Sequence, residues 1–336
     1  MHDKEYLRKR IGAMHQIAGI RRAVLDDGKG RGMRVFDVRN GSGLVYEVYP
    51  DRGLDIGQAS FNGVPLAWIT PNGPVAPAFY ESDGINWLRT WGGGLLTGCG
   101  IMNVGGPNIS GGESHGLHGR LSHTPATEVN TRCFWDENGK YVQEISGHLL
   151  ISRIFGKNIE MIRTIRSVMG ENTITLEDEV INNGFNRTPL MMLYHINLGW
   201  PLVDENSRIE TVPHRVTPQN DVAAADYPEW PRLSAPEPAF SEQVFYHEIP
   251  GDENGMSSAA LYNPDLGMRL TVSCRRKELP YLIQWKQMGQ GEYVLGLEPA
   301  NCFPEGQAAM LKKDMLQYLQ PGGRIKTLVK ISIEQE

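Results

Sequence analysis

Apolar and polar residues alternate with a period of two along much of this chain. Across residues 157–169, Ile159, Met161, Arg163 and Ile165 fall on one side, and Glu160, Ile162, Thr164 and Arg166 on the other. Residues 172–181 repeat the pattern, with Ile174 and Leu176 set against Thr173, Thr175 and Glu177. Residues 324–333 do so again, with Ile325, Thr327, Val329, Ile331 and Ile333 opposing Lys326, Leu328, Lys330 and Ser332. Successive strand side chains point to opposite faces, so each run predicts a strand with one buried face. Val35, Val38 and residues 43–49 are β-rich as well. The opening differs. Leu7, Ile11, Met14 and Ala18, spaced i, i+4, i+7 and i+11, predict a short helix within residues 1–20, capped near Asp3.

Turn signals separate the runs: Asn40-Gly41, Asn62-Gly63, Asn72-Gly73, Asn138-Gly139, Asn183-Gly184 and Pro321-Gly322-Gly323. Asn-Gly is a strong hairpin signal because both residues tolerate positive φ. The 38 glycines and 21 prolines among 336 residues exceed the usual share of about 12%. Many short strands with frequent turns predict an all-β sandwich or barrel. No internal repeat is visible, and the Pro-rich residues 213–238 read as a long surface loop or lid. We therefore expect one domain over residues 1–336. The glycines from Gly92 to Gly119 are denser than hairpins require, which suggests a wall that makes room for a ligand and lets His118 reach it.

Charge and cysteine content narrow the function. A net charge of −6 argues against nonspecific binding to nucleic acid or an anionic membrane. The longest apolar stretch, near residues 190–200, contains His195 and Asn197 and is shorter than the roughly 18–20 residues of a membrane span. The N-terminal residues are charged where a signal peptide would be apolar, so a cytoplasmic location is expected. Cys99, Cys133, Cys274 and Cys302 are dispersed and read as free thiols.

Four places could carry chemistry. The first is Glu113-Ser-His115-Gly-Leu-His118-Gly-Arg120-Leu-Ser-His123, which could line a polar substrate pocket, ligate a metal, or form a solvated loop. The second is His195. As a strand residue it shares a face with Leu193 and Asn197, while Tyr194, Ile196 and Leu198 share the other; alone, it could equally be a satisfied core histidine. The third is Glu298. It shares a face with Val294 and Gly296, and Gly296 leaves space beside the carboxylate. A carboxylate ending an apolar strand is costly unless it is paired, here with an unidentified arginine, or functional. The fourth is Gln284-Trp285-Lys286, where a ring face and polar groups suit a sugar, although Trp285 could be core. No P-loop, no GxGxxG opening a helix and no GxSxG elbow is present.

Taken together, Pro50-Asp-Arg-Gly-Leu-Asp-Ile-Gly57, the glycine-rich residues 92–100, Gly116-Leu-His-Gly-Arg120, Tyr194-His-Ile-Asn-Leu198 and Gly296-Leu-Glu-Pro-Ala-Asn301 resemble the aldose 1-epimerase, or galactose mutarotase-like, superfamily. The closer likeness is to its branch called domain of unknown function 4432. The resemblance implies a galactose mutarotase-like β-supersandwich and a sugar isomerase acting at the anomeric carbon. Carried over by motif, Glu298 would be general base, His195 general acid, and His118 a holder of the ring oxygen. Arg52, Arg89, His115, Arg120, Gln284 and Lys286 would be candidate substrate contacts. Two departures bear on the sugar: Arg120 stands where a further glycine is usual, and neither Arg52 nor Arg89 belongs to the Asn-Arg pair. Such chemistry needs one acid and one base, with no redox cofactor and no metal. The expected partner is a small sugar. The alternatives are a carbohydrate-binding protein that has lost catalysis and a metal-dependent isomerase using Glu113, His115, His118 and His123. The oligomeric state is not legible in the sequence.

Overall fold

The computed structural model describes residues 3–336. Two antiparallel sheets dominate it, of 12 and eight strands, with a separate two-stranded hairpin, Asn108–Ser110 with Glu113–His115. Across the larger sheet the order is Gly19–Val24, Arg34–Arg39, Leu44–Tyr49, Asp55–Phe61, Leu96–Ile101, Thr188–Gly199, Glu292–Ala300, Tyr281–Gly289, Gln243–Glu248 and Arg215–Pro218. The smaller sheet runs Arg208–Glu210, Met256–Asn263, Met268–Arg275, Arg324–Gln335, Thr173–Asn182, Asn158–Val168, Tyr141–Ser152 and Thr127–Trp135. The three alternating runs that predict strands are therefore neighbours in one sheet, and their buried residues meet the larger sheet in a shared apolar core.

One buried position breaks the apolar rule. Arg163 is fully buried, and its guanidinium grips Asp178 with two bonds of 2.9 and 2.8 Å and donates to Gly53 O at 3.0 Å. The Tyr194 hydroxyl donates to the same carboxylate at 2.6 Å. A charge can be buried only when it is paired and its donors are used, and here they are.

A second apolar cluster lies on the outer face of the larger sheet. It includes Cys99, Met191, Leu193, Ile283 and Ala300, with Trp87 and Trp91 laid across them and Trp68 and Trp285 at the margin. The candidate site is on this face.

Three expectations need correction. The helix is one short turn, Lys4–Arg8, capped by Asp3 as expected. A 3₁₀ turn at Met14–Gln16 follows, and a strand begins at Gly19, so the helix does not extend through residues 1–20; Met1 and His2 lie outside the described residues. The apolar spacing instead reports burial, since Leu7, Ile11, Met14 and Ala18 share a small cluster with Tyr141 and Met169. Residues 213–238 are not a free loop: they form the strand Arg215–Pro218 and the helix Asp221–Ala225, which pack on the sheet edge. Nor do the crowded glycines mainly clear space for a ligand. A Cβ at Gly105 would overlap the carbonyl oxygen of Pro304, and one at Gly100 that of Met191. These positions let backbone pass against backbone.

Candidate active site

Strand register brings the central pair together. Leu193 pairs with Ala300 and Asn197 with Gly296, so His195 and Glu298 face each other between those pairs. Alternation sends both side chains to the outer face, while Tyr194 and Leu297 turn into the interlayer core. His195 Nδ1 lies 3.2 Å from Glu298 Oε1. Gly296 matters as its neighbour. A Cβ there would collide with that same Oε1, so the carboxyl leans into the space glycine leaves.

The hydrogen bonds fix the tautomer of His195. Asn197 donates through Nδ2 to Gly94 O at 2.9 Å and to His195 O at 3.0 Å, which leaves its Oδ1 as an acceptor. His195 Nδ1–H donates to that oxygen at 2.5 Å. Its Nε2 then carries the lone pair and has no hydrogen-bond partner among the described residues. Because Nδ1–H is aimed at Asn197, Glu298 Oε1 is left buried and without a hydrogen bond.

Burial sets the charge states. Glu298 is 2% exposed, and desolvation, helped by the nearby Glu242, raises its carboxyl well above the usual range. Desolvation, then the proximity of His118, lowers His195 to about 3, against the opposing pull of its bond to Asn197. In the free site burial thus favours the protonated carboxyl and the neutral imidazole.

His118 completes the group. Its ring centroid lies 5.6 Å from that of His195 and 5.0 Å from that of Trp87. Its backbone is left-handed, with φ of 56°, an uncommon state for a residue with a side chain. Gly105 O and Gly100 N clamp it on either side through bonds of 3.0 and 2.9 Å. Gly105 N donates to His118 Nδ1 at 3.4 Å, so the ring proton belongs on Nε2. Desolvation lowers this imidazole to about 4. One histidine thus presents a donor and the other an acceptor. Around them Trp91 and Trp285 stand 5.1 and 5.3 Å from the His195 ring, and Trp68 meets both tryptophans edge-on.

The other candidates are placed elsewhere. Gln284 and Lys286 lie on the face of their strand opposite Trp285. Gln284 Oε1 accepts from His247 Nε2 at 2.9 Å and Gln284 Nε2 donates to Trp230 O at 2.8 Å, while Lys286 pairs with Asp226 at 2.7 Å. Arg52 is buried, donating to Val75 O at 2.8 Å with its Nη2 3.3 Å from His123 Nε2. Arg89 is exposed and bonds Asn86. His115 and Arg120 line a different cavity, together with Glu113. The histidine-rich segment therefore fans out rather than converging: His118 faces His195, and His123 stacks on Tyr80 at 4.0 Å. Among the described residues no three His, Cys, Asp or Glu side chains gather closely enough to hold a metal ion. Of the four cysteines, all are free thiols. No helix of the described residues is long and apolar enough to cross a membrane.

Sequence reasoning missed the three tryptophans at 68, 87 and 91, and also Glu242, which accepts from Trp285 Nε1 at 2.8 Å. For Trp87 and Trp91 the available signal was their closeness to the glycine run; Trp68 carried none. Asn197 was visible as a residue sharing the His195 face, without its orienting part.

Residues 30–333 match the family described as Domain of unknown function (DUF4432). Among solved structures, a protein from Klebsiella pneumoniae subsp. pneumoniae MGH 78578, provisionally named an aldose 1-epimerase, superposes with a TM-score of 0.88 at 25% identity, covering 94% of this chain and 83% of that one. A galactose mutarotase-like protein from Clostridium acetobutylicum gives 0.68 at 14% identity, covering 96% and 100%. The galactose 1-epimerase of Lactobacillus acidophilus NCFM gives 0.59 at 14% identity, covering 94% and 99%. A comparison with curated proteins gives no match. The fold is the galactose mutarotase-like sandwich.

Proposed function

We propose that this chain, which belongs to the DUF4432 family, is a carbohydrate mutarotase or epimerase that acts at the anomeric carbon of a free sugar. The observation that carries the reading is the buried, unpartnered Oε1 of Glu298, 3.2 Å from His195 Nδ1, with Trp91 and Trp285 beside the His195 ring. A buried polar atom without a partner is costly, and a ligand hydroxyl would satisfy it. Indole faces suit the C–H surface of a sugar ring. The names of the structural neighbours agree with this class.

Ring opening needs one proton removed from the anomeric hydroxyl and one delivered to the ring oxygen. As the base takes the hydroxyl proton, the O–H electron pair forms the carbonyl, the C1–O5 bond breaks and the acid protonates O5. Rotation about C1–C2 and reversal give the other anomer. Glu298 as base and His195 as acid make the pair ionic with the ring closed. After opening, the carboxyl holds a proton and the imidazole is neutral. That second state is the one burial favours in the free protein. One shared proton therefore serves both half-reactions, and sugar hydroxyls donating to Glu298 would lower its pKa toward the ionic state. His118 Nε2–H is available to hold an oxygen of the ring.

The test is anomer exchange followed by NMR across aldoses, ketoses and acidic sugars. The reading fails if no sugar exchanges faster with live than with heat-inactivated protein. Sugar binding with unchanged exchange would instead support a binding protein on the same fold.

A further inference from the structure

A cavity of about 490 Å³ lies on the other side of the segment that carries His118. It is walled by Tyr80, Asn103, the hairpin residues Glu113 and His115, Arg120, and the turn bearing Arg153 and Lys157. None of His118, His195, Glu298 or the site tryptophans lines it. Its volume is that of an ordinary small-molecule pocket.

Its charge runs against that of the chain. Arg120, Arg153 and Lys157 face a single carboxylate, Glu113, in a protein of net charge −6. Glu113 accepts from Arg153 at 3.0 Å and from Lys157 at 2.9 Å, which holds both cations at the wall. Arg120 lies over the Tyr80 ring at 5.8 Å and has no carboxylate partner among the described residues. His115 is 8% exposed, yet its Nε2 is buried without a hydrogen bond. Burial and then the nearby Lys157 lower its pKa, against the opposing pull of Glu113.

We infer that this cavity is a second binding site, separate from the His195–Glu298 pair, for a small oxyanion of the phosphate or carboxylate kind. Guanidinium and ammonium groups supply charge-assisted donors for such an anion, and His115 Nε2 gains a partner when it is occupied. The anion can be free in solution or can be a substituent of the sugar itself, because only Gly116 and Leu117 separate His115 from His118. The inference does not depend on the sugar reading.

Calorimetric titration with inorganic phosphate at fixed ionic strength tests it. Saturable one-to-one binding is expected, weakened about tenfold by Arg153→Gln or Lys157→Gln. Glu113→Gln should tighten binding by releasing both cations, a gain that misfolding cannot mimic. The His115 ring signals should move on titration and its pKa should rise. Absence of saturable binding, or binding indifferent to all three substitutions, overturns the inference. A hexose 6-phosphate that binds more tightly than phosphate identifies the anion as part of the substrate. Independent binding of phosphate and a neutral hexose, with no advantage for the hexose phosphate, identifies a free anion.

Discussion

Tyr194 and His195 are neighbours on one strand, and they end in two buried polar clusters on opposite faces of the same sheet. The Tyr194 hydroxyl joins Arg163, Asp178 and Thr327 between the layers, where the guanidinium and carboxylate find partners throughout. His195 joins Glu298 and His118 on the outer face, where a carboxyl oxygen and an imidazole nitrogen are left without partners. Both clusters are nearly dry. What separates them is saturation: the inner one is complete as it stands, and the outer one keeps an unsatisfied carboxyl oxygen that the proposed function gives to a ligand. Substitutions inside should therefore cost stability, and substitutions outside should cost rate.

The largest expected effect is on the outer side. Glu298→Gln keeps the shape and removes the proton exchange, so anomer exchange should fall about 10²–10⁴-fold, with little change in the urea midpoint. A variant exchanging sugar at the full rate would remove Glu298 from the mechanism. Next comes Asp178→Ala, which leaves Arg163 charged in the core and should cost about 3–5 kcal/mol in urea denaturation. The protein that remains folded should keep its exchange rate. An equal loss of rate per folded molecule would collapse the distinction between the clusters.

Acidity sharpens the same contrast. Asn197→Asp places a carboxylate against His195 Nδ1–H, which favours the imidazolium and should raise the pKa from about 3. The acid limb of the exchange rate should move to higher pH, whereas a purely structural role for Asn197 would lower the rate without moving the limb. Asp55 gives the inner counterpart. Burial pushes its carboxyl up to about 7, despite Arg163, Arg52 and the bond of 2.8 Å from Gly98 N. The unfolded chain sheds that proton near pH 4 and the folded one near 7, so Asp55 contributes stability that is complete below about 4 and lost as pH rises through 7. Asp55→Asn should flatten that part of the stability profile.

The alternation of the strands, and with it the face of His195 and Glu298, could be read directly, because side-chain parity is a local property. So could the space at Gly296, although only the structure shows the carboxyl leaning into it. Trp68, Trp87 and Trp91 could not be read, since they reach the site from connecting segments whose path depends on tertiary packing. The glycine run misled for a related reason: sequence shows that a side chain is missing but not whether ligand or backbone fills the gap. Arg163 sat on the apolar face of its alternating run, and its partner Asp178 belongs to the neighbouring strand, where pairing decides contact.

The smallest expected effect falls on Lys286, and parity is again the reason. Trp285 reaches the outer face, so Lys286 must turn the other way, where it meets Asp226 at 2.7 Å. Asp226 is a third exposed, so water can take over its carboxylate when the ammonium is removed. Lys286→Met keeps the packed stem and should lower stability by no more than about 1 kcal/mol, with the exchange rate unchanged within about twofold. A tenfold loss of exchange at full stability would mean that the positive charge reaches the sugar through the sheet. The site would then extend to both faces, and the division between an inner cluster that holds the fold and an outer one that does chemistry would fail at this strand.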